Sequence, residues 1–378
     1  MKYRELGNTG LKISEIGFGA EWMTGAPEQT WEMMHNAHHG GVNVFDCWMS
    51  DPHIRENLGF GLNGHRDHWI IQAHVGSCWV DGQYVRSRDL DLVVPAFEDE
   101  MRLLGTEHFE IGMLHYIDDL EEFNESMNGR FFDYVLSLKD RGVIDHIGLS
   151  THNPHVALAA IDTGQIETLM FSINPAFDIM PPSNDINVLF GDLTEGGDGI
   201  DPVRALLYAK CEQEGVGLTV MKPFAGGRML DARKSPFGIA LTPAQCIHYC
   251  LTRPGVSSVM AGWKNLDELF ASLAYYDSTA EELDYASKLA GAKAHAYFGQ
   301  CTYCGHCQPC PMEIDIATVN KFADLAAMHD EVPTSVRMHY QALEKNASDC
   351  IGCRTCEQNC PFGVAIAERM EQTATLFA

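Results

Sequence analysis

The sequence is short of basic residues. Its 26 lysines and arginines are outnumbered by 52 acidic residues, which gives a net charge of −26. Such a charge repels phosphate backbones and anionic lipid surfaces, so we expect no nucleic-acid partner and no membrane partner. No apolar run approaches the roughly 18 residues that span a bilayer, and no secretion signal is recognisable. These absences predict a cytoplasmic protein.

The pattern of a disulfide framework is also missing. The 13 cysteines are odd in number, and eight of them are crowded into two short runs near the C-terminus. This is the spacing of metal ligands in a reducing compartment. The other five have no ligand-like grouping and are expected to be small core side chains. Among these five, Cys47 is of most interest because it directly follows Asp46.

Short apolar runs alternate with longer stretches of helical periodicity. The runs lie at 13–20, 42–45, 69–75, 109–116, 146–150, 168–173, 216–221 and 256–260. Strands this apolar are typical of a parallel sheet covered by helices. Eight alternations of strand and helix predict a (β/α)₈ TIM barrel. Before the first strand, an Asn-Thr-Gly turn within RELGNTGLKIS (4–14) predicts a small hairpin that caps the bottom of the barrel.

The two cysteine runs are CTYCGHCQPCP (301–311) and CIGCRTCEQNCP (350–361). The second is the full C-x₂-C-x₂-C-x₃-C-P run of bacterial ferredoxins, in which the last cysteine of each run ligates the other cluster. We therefore predict two [4Fe–4S] clusters, although the first run is one residue short before its last cysteine. The predicted ligand sets are Cys301, Cys304, Cys307 with Cys360, and Cys350, Cys353, Cys356 with Cys310. Structural Cys₄ zinc sites are the alternative.

The composition changes near residue 295. We predict the barrel over residues 1–295 and a mostly helical, ferredoxin-like iron–sulfur domain over residues 296–378. No low-complexity linker joins the two, so we expect the tail to pack against the barrel.

Ionisable side chains follow the predicted strands. Active sites of such barrels lie at the C-terminal ends of the strands, where side chains from different strands converge. The residues at these ends are Glu21, Asp46, His74, His115, Ser150, His152, Asn174, Lys222, Trp263 and Lys264. We expect Asp46 to share a pocket with His74, His115 and Asp51.

With these residues in view, the chain resembles the aldo-keto reductases, in the branch that carries a C-terminal ferredoxin-like domain. The resemblance covers essentially the whole length. It rests on YRELGNTGLKISEIGFGA, NVFD, FEIGMLHY, IGLSTHNP, VMKPFAGG and both cysteine runs. It implies an iron–sulfur oxidoreductase of anaerobic metabolism.

The catalytic set of that family is an aspartate, a tyrosine, a lysine and a histidine. The resemblance implies that Asp46 is the aspartate and His115 the histidine. Asp51 stands in the place of the tyrosine, and His74 in the place of the lysine. A protonated Asp51 beside Asp46, or His74 itself, is then the expected proton donor. Lys222 completes the predicted catalytic set.

The cofactor signal is mixed. In the family the fifth strand ends Ser-Asn, which holds a nicotinamide carboxamide, whereas Thr151 follows the matching serine here. The implied cofactor-binding residues are Ser150, His152, Asn174 and Lys264. Asp267 and Glu268 in the following helical turn oppose a 2′-phosphate. NADP(H) is therefore an open candidate.

Three functions stay open. The first is an oxidoreductase that acts on a small carbonyl, hydroxyl or related compound, passes electrons through two clusters, and uses a ferredoxin or flavoprotein as electron partner. The second is a metal-dependent lyase, isomerase or hydratase, with a divalent metal on Asp46, His74, His115 and His152. The third is a degenerate barrel whose tail is an electron-transfer subunit for another protein. The long loop 180–201 is a candidate lid or binding loop.

Overall fold

The computed structural model describes residues 1–189, 199–292, 299–327 and 332–378. Its strands are β1 (Tyr3–Glu5), β2 (Lys12–Ser14), β3 (Ile16–Gly19), β4 (Val44–Cys47), β5 (Ile70–Val75), β6 (Ser77–Val80), β7 (Gln83–Arg86), β8 (Phe109–Leu114), β9 (Ile144–Thr151), β10 (Thr168–Ser172), β11 (Gly217–Met221) and β12 (Val256–Gly262). Its α-helices are α1 (Pro27–His39), α2 (Pro52–Leu62), α3 (Leu90–Leu104), α4 (Leu120–Met127), α5 (Arg130–Asp140), α6 (Pro154–Asp162), α7 (Pro175–Asp178), α8 (Ile186–Leu189), α9 (Pro202–Glu214), α10 (Pro243–Leu251), α11 (Leu266–Leu273), α12 (Tyr285–Ala290), α13 (Ile316–Ala327), α14 (Thr334–Gln341), α15 (Thr355–Asn359) and α16 (Ile366–Leu376).

Eight parallel strands close into a barrel. The order around the ring is β3, β4, β5, β8, β9, β10, β11 and β12, with β12 paired to β3. All eight predicted apolar runs contribute a strand, and helices cover the outside. The predicted TIM barrel is therefore confirmed.

The interior of the barrel is filled below the strand ends. One apolar cluster joins side chains of the barrel strands to Leu6 and Ile13 of the β1–β2 segment, and it includes Met113, Met170 and Met260. A Cβ atom at Gly17 would lie 2.4 Å from the Met260 sulfur, so a larger residue there would require Met260 to move. The predicted hairpin is present and packs into the base of the barrel. The mouth at the other end therefore has a packed floor.

A second hairpin, β6–β7, follows β5 directly and rises above the mouth. Its strands pair antiparallel from Ser77 opposite Arg86 to Val80 opposite Gln83. Asp81 and Gly82 form the turn with φ values of 51° and 79°. Positive φ at both central residues is typical of a two-residue hairpin turn with Asp-Gly.

The cysteine-bearing tail packs on the outside of the barrel behind β10, β11 and β12. The carbonyl oxygen of Thr302 accepts hydrogen bonds from Arg253 Nη2 at 2.5 Å and from Tyr285 Oη at 2.9 Å. Lys321 of α13 forms an ion pair with Glu212 of α9. These contacts agree with the expectation that the tail packs against the barrel.

Two predictions fall partly outside the described residues. The predicted boundary at 295/296 lies in the segment 293–298, and the candidate lid 180–201 includes 190–198. Among the helices that the structure describes, none has both the length and the apolarity that crossing a bilayer would need.

Candidate active site

Asp46 is delivered to the mouth by β4, where Val44 and Phe45 are fully buried. The carboxylate is itself buried, and its Oδ1 atom accepts hydrogen bonds from His74 Nε2 at 2.7 Å and from Gln72 Nε2 at 3.2 Å. Its Oδ2 atom has no hydrogen-bond partner among the described residues. A buried carboxylate oxygen without a donor is costly, so this atom is available to accept a hydrogen bond from a ligand.

A continuous series of hydrogen bonds runs outward from Asp46. The Nδ1 atom of His74, on β5, lies 2.8 Å from Nδ1 of His115, which directly follows β8. The Nε2 atom of His115 lies 2.6 Å from the hydroxyl of Tyr84. Since β4, β5 and β8 are neighbours in the barrel, their ends bring these groups together. We call the series Tyr84–His115–His74–Asp46 the relay.

Tyr84 was not identified from the sequence. It lies on β7 of the hairpin above the mouth, with its ring edge against Trp48 at 5.5 Å between centroids. Trp48 also stacks on His115, with an angle of 7° between the ring planes. Burial raises the pKa of Tyr84 to about 12, so the phenol keeps its proton at neutral pH.

The relay satisfies every hydrogen bond in two protonation states. In the first, Tyr84 donates to Nε2 of His115, Nδ1–H of His115 donates to His74, and Nε2–H of His74 donates to Asp46. In the second, one added proton makes His74 an imidazolium, its Nδ1–H donates to His115, and Nε2–H of His115 donates to Tyr84. We call these the base form and the acid form. Each follows from the donor and acceptor capacity of neutral or charged imidazole.

The added proton of the acid form belongs on His74. Burial, and after it the charge of His74, holds the pKa of His115 well below its ordinary value. His74 instead lies against the Asp46 carboxylate, which stabilises a neighbouring positive charge. The hydrogen bonds thus connect Tyr84, at the outer end of the relay, with the Asp46 carboxylate at the buried end.

Asp51 has a local role. It is the N-cap of α2, and its side chain accepts a hydrogen bond from the backbone N–H of His53 at 2.9 Å. Among the described residues, no hydrogen bond links Asp51 to Asp46. The hypothesis that the two acids share a proton receives no support from this arrangement.

A second polar group lies across the mouth around Lys222. Burial lowers the pKa of the Lys222 ammonium, while the charges of Glu21, Asp118 and Asp46 oppose that shift. Burial likewise raises the pKa of Glu21. Lys222 has a positive φ of 56°, a backbone conformation that is rare outside glycine and often found at functional sites.

His152 is held by Asp118 and not by the relay. Its Nδ1 atom lies 3.0 Å from Asp118 Oδ2, and its backbone N–H donates to Asp118 Oδ1 at 2.6 Å. Burial opposes ionisation of Asp118, yet these bonds hold the pKa of that carboxyl below its ordinary value. Burial also lowers the pKa of His152, and its Nε2 atom is buried without a partner among the described residues. His152 therefore presents a neutral, unused acceptor.

The residues predicted to seat NADP(H) are mostly engaged elsewhere. Asn174 caps α7 through Oδ1 and donates from Nδ2 to the carbonyl of Lys222. The ammonium of Lys264 lies 4.1 Å from the centre of the Trp22 ring. The backbone N–H of Lys264, at the start of α11, donates to the carboxylate of Glu268. A carboxylate therefore already occupies this N–H of the predicted phosphate seat, and NADP(H) binding stays a prediction. Ser150 is buried at the end of β9.

The described residues contain no group of three or more His, Cys, Asp or Glu side chains placed to hold a single metal ion. The predicted set of Asp46, His74, His115 and His152 divides instead between the relay and Asp118. A divalent metal at the mouth stays a prediction without geometric support.

The eight clustered cysteines line two separate pockets. The first pocket is lined by Cys301, Cys304, Cys307 and Cys360. The second is lined by Cys310, Cys350, Cys353 and Cys356. Each set contains three cysteines of one run and the last cysteine of the other, as the ferredoxin pattern predicts. Four thiols around a cavity suit a four-iron cluster, whereas the described residues include no such group close enough for one zinc ion.

Cys47 is a core residue behind the mouth. Burial, and then the charge of Glu100, raises the pKa of the Cys47 thiol well above its ordinary value. Glu100 forms a fully buried ion pair with Arg55 at 2.9 Å. A thiol that stays protonated is a poor nucleophile, so Cys47 fits the core role expected from the sequence.

Comparison with known proteins agrees with both parts of this description. A family model described as a 4Fe-4S binding domain matches residues 343–365, which include the second cysteine run. The uncharacterised oxidoreductase YqkF of Bacillus subtilis is 22% identical over 285 residues, covering 71% of this chain and 89% of YqkF. The aldo-keto reductase YhdN of the same organism is 22% identical over 200 residues, covering 50% of this chain and 57% of YhdN.

Among solved structures, the aldo-keto reductase AKR11C1 from Bacillus halodurans in its holo form superposes with a TM-score of 0.58 at 22% identity. The match covers 79% of this chain and 99% of that one. These similarities confirm the predicted resemblance. The chain has the barrel of the aldo-keto reductase fold, followed by a C-terminal region that carries a 4Fe–4S binding motif.

Proposed function

We propose that the protein is an oxidoreductase of the aldo-keto reductase type that interconverts a small hydroxyl compound and its carbonyl form at the barrel mouth, with electrons exchanged through two 4Fe–4S clusters. The observation that carries this proposal is the relay, in which four groups from four elements form three hydrogen bonds of 2.6 to 2.8 Å. A structural role would not require two imidazoles in series behind a phenol.

Oxidation of a hydroxyl compound begins with the relay in its base form. The Tyr84 oxygen accepts the substrate's hydroxyl proton while Tyr84 passes its own proton to His115, and the positive charge comes to rest on His74. In the reverse direction the acid form delivers the proton from Tyr84 to a carbonyl oxygen. Such transfers by a positioned side chain contribute about 10²- to 10⁴-fold to a rate.

Conversion of a hydroxyl to a carbonyl releases two protons and two electrons. The relay takes the proton from oxygen, and we assign the proton from carbon to the unpartnered Nε2 atom of His152. Lys222 and the free Oδ2 atom of Asp46 bind polar groups of the substrate. Each cluster, when bound, supplies a carrier for one electron.

The positions of the two cysteine pockets support the proposal that electrons pass through the tail in series. The first cysteine pocket adjoins the barrel, since Thr302 beside Cys301 is bonded to Arg253 and Tyr285. The second has an exposed rim, where Cys353 is exposed and Ile351 is 63% exposed. We therefore propose that a ferredoxin or flavoprotein docks at the second pocket and that the first exchanges electrons with the barrel.

The position of the tail favours one other candidate function. The tail lies behind β10 to β12, whereas the relay strands β4, β5 and β8 are on the other side of the ring. Electrons between mouth and tail would therefore cross the barrel wall. This placement favours a function in which the clusters exchange electrons only with an external partner protein.

An anaerobic reoxidation assay separates the two functions. The dithionite-reduced holoprotein is mixed with a panel of small aldehydes and ketones, and the cluster absorbance near 400 nm is followed. We expect at least one compound to reoxidise the clusters in wild type. Reoxidation by ferredoxin alone, with no organic compound effective, would contradict the oxidoreductase and support the external role.

The relay also predicts opposite pH dependences for the two directions. Substrate oxidation requires the base form and should rise with pH, whereas substrate reduction requires the acid form and should fall, around one shared apparent pKa. Asp46→Asn removes the carboxylate that stabilises the His74 imidazolium, so it should lower that apparent pKa. The measurement is kcat against pH in both directions. Two unrelated midpoints, or no shift in Asp46→Asn, would contradict the relay.

A further inference from the structure

An open groove of about 510 Å³ lies where the tail meets the base of the barrel, at the opposite end from the mouth. Its wall includes Gly7 of the β1–β2 segment, Gly215 before β11 and Val256 at the start of β12. Side chains that line it include Arg4, Glu212, Arg253, Tyr303 and Lys321. None of these residues takes part in the chemistry proposed for the mouth.

Arg253 is the unusual member of the groove wall. It is 2% exposed, and its Nη2 atom donates to the Thr302 carbonyl at 2.5 Å and to Thr252 Oγ1 at 2.9 Å. Its Nε and Nη1 atoms have no partner among the described residues. A buried guanidinium with two unused N–H groups is costly unless an acceptor satisfies them.

Among the residues that the structure describes, no carboxylate is bonded to Arg253. The charge of Asp178 acts on it, but the oxygens of Asp178 accept hydrogen bonds from Tyr208 at 2.5 Å and Tyr249 at 2.7 Å. The ring of Tyr249 lies 4.4 Å from the centre of the guanidinium, which leaves the cation stacked and not neutralised. The Nε and Nη1 atoms of Arg253 have almost no exposed surface, so an acceptor bound in the groove would complete this site after a small shift of the groove wall.

Two other cations border the groove, but both have partners. Arg4 pairs with Glu15, and Lys321 pairs with Glu212. The groove is therefore not strongly positive as a whole. The preference of the groove for an anion depends on the unused donors of Arg253. The ammonium of Lys321 adds to the positive potential there.

The groove is separated from the first cysteine pocket by a thin wall. Tyr303 and Ala317 line both the groove and the pocket formed by Cys301, Cys304, Cys307 and Cys360. The Tyr303 hydroxyl donates to Asp324 at 2.8 Å, which fixes its ring between the two spaces. A charge placed in the groove is thus one side chain away from the first cluster site.

We propose that this groove binds the anionic group, phosphate or carboxylate, of a small molecule on Arg253, and that the first cluster senses its occupancy through Tyr303. Arginine suits both groups because its N–H donors match two oxygens of one anion. A nearby negative charge disfavours adding an electron, so occupancy should lower the reduction potential of the first cluster.

Isothermal titration of the anaerobic holoprotein tests this site, with pyrophosphate and citrate as probes and sodium chloride at matched ionic strength as the control. We expect one or both probes to bind with a Kd below about 1 mM. Binding of pyrophosphate alone identifies a phosphate site, and binding of citrate alone a carboxylate site. Redox titration followed by EPR should show a lower potential for the first cluster when the probe is bound.

Three variants locate the binding. Arg253→Gln should weaken it at least 10-fold and Lys321→Gln about 2- to 5-fold, while Lys288→Gln, an exposed lysine on α12, should not change it. If Arg253→Gln does not fold, two other measurements test the proposal. They are the affinity of Lys321→Gln for the probe and the probe-induced shift in the reduction potential of the first cluster in Tyr303→Phe. Absence of saturable binding up to about 10 mM, or equal loss in Lys288→Gln, would overturn the proposal.

Discussion

Replacing Tyr84 by phenylalanine is expected to lower turnover in the reoxidation assay by about 10²- to 10⁴-fold, because the group that exchanges a proton with the substrate is lost. The phenyl ring keeps its contact with Trp48 at 5.5 Å, so the hairpin and the stability of the fold should change little. The measurement is kcat with any compound that turns over wild type, together with iron content and melting temperature.

Tyr134→Phe is the matched control for this change. Tyr134 is a half-buried tyrosine on α5, outside the mouth, and its loss should leave kcat within about 3-fold of wild type because surface changes away from a site have small effects. Equal losses in the two variants would show that Tyr84 acts through general stability. Wild-type kcat in Tyr84→Phe would remove Tyr84 from the mechanism.

Substitution of the last cysteine of either run is expected to remove about half of the bound iron, because each completes one of two four-iron sites. Cys360→Ser should lose the cluster of the first run, and Cys310→Ser that of the second. Iron analysis and EPR of the anaerobically purified variants measure this directly. The control is Cys78→Ala, a buried core cysteine whose loss should leave the iron content unchanged.

Double variants test the exchange of cysteines between the runs. Cys304→Ser combined with Cys360→Ser should still retain about half of the iron, because both residues belong to one pocket. Cys304→Ser combined with Cys310→Ser should lose nearly all of it. The reverse pattern would show that each run ligates its own cluster.

The barrel and the central part of the relay could be predicted because they depend on short-range patterns. Each strand is an apolar run, and the residue after such a run lies at the strand end whatever the loops do. Asp46, His74 and His115 lie at or just beyond the ends of strands that are neighbours in the ring, so their convergence follows from the fold. Spacing within each run similarly groups three of its cysteines, whereas the fourth member of each set comes from the other run.

Tyr84 could not be placed in the same way, because it reaches the mouth from a hairpin whose direction depends on packing against Trp48. A local signal was present nevertheless: Asp81-Gly82 stands between alternating residues, and such a pair indicates a two-residue turn. Recognising that turn would have predicted a hairpin after the third barrel strand and made its tyrosine a candidate.

Asp51 was assigned to the mouth and Lys264 to a phosphate seat, although local interactions engage both positions. Asp51 precedes Pro52, and an acid before a proline at the first helical position is typical of an N-cap. Glu268 occupies the helix start that was considered for a phosphate. In both cases a side chain close in sequence satisfies a helix terminus.

The most direct test of the relay is ¹⁵N NMR of histidine-labelled protein as a function of pH. The account predicts that His115 carries its proton on Nδ1 in the base form and on Nε2 in the acid form, staying neutral throughout, while His74 becomes an imidazolium in the same one-proton step. Titration of His115 to an imidazolium independently of His74, or an unchanged His115 tautomer when His74 is charged, would contradict it.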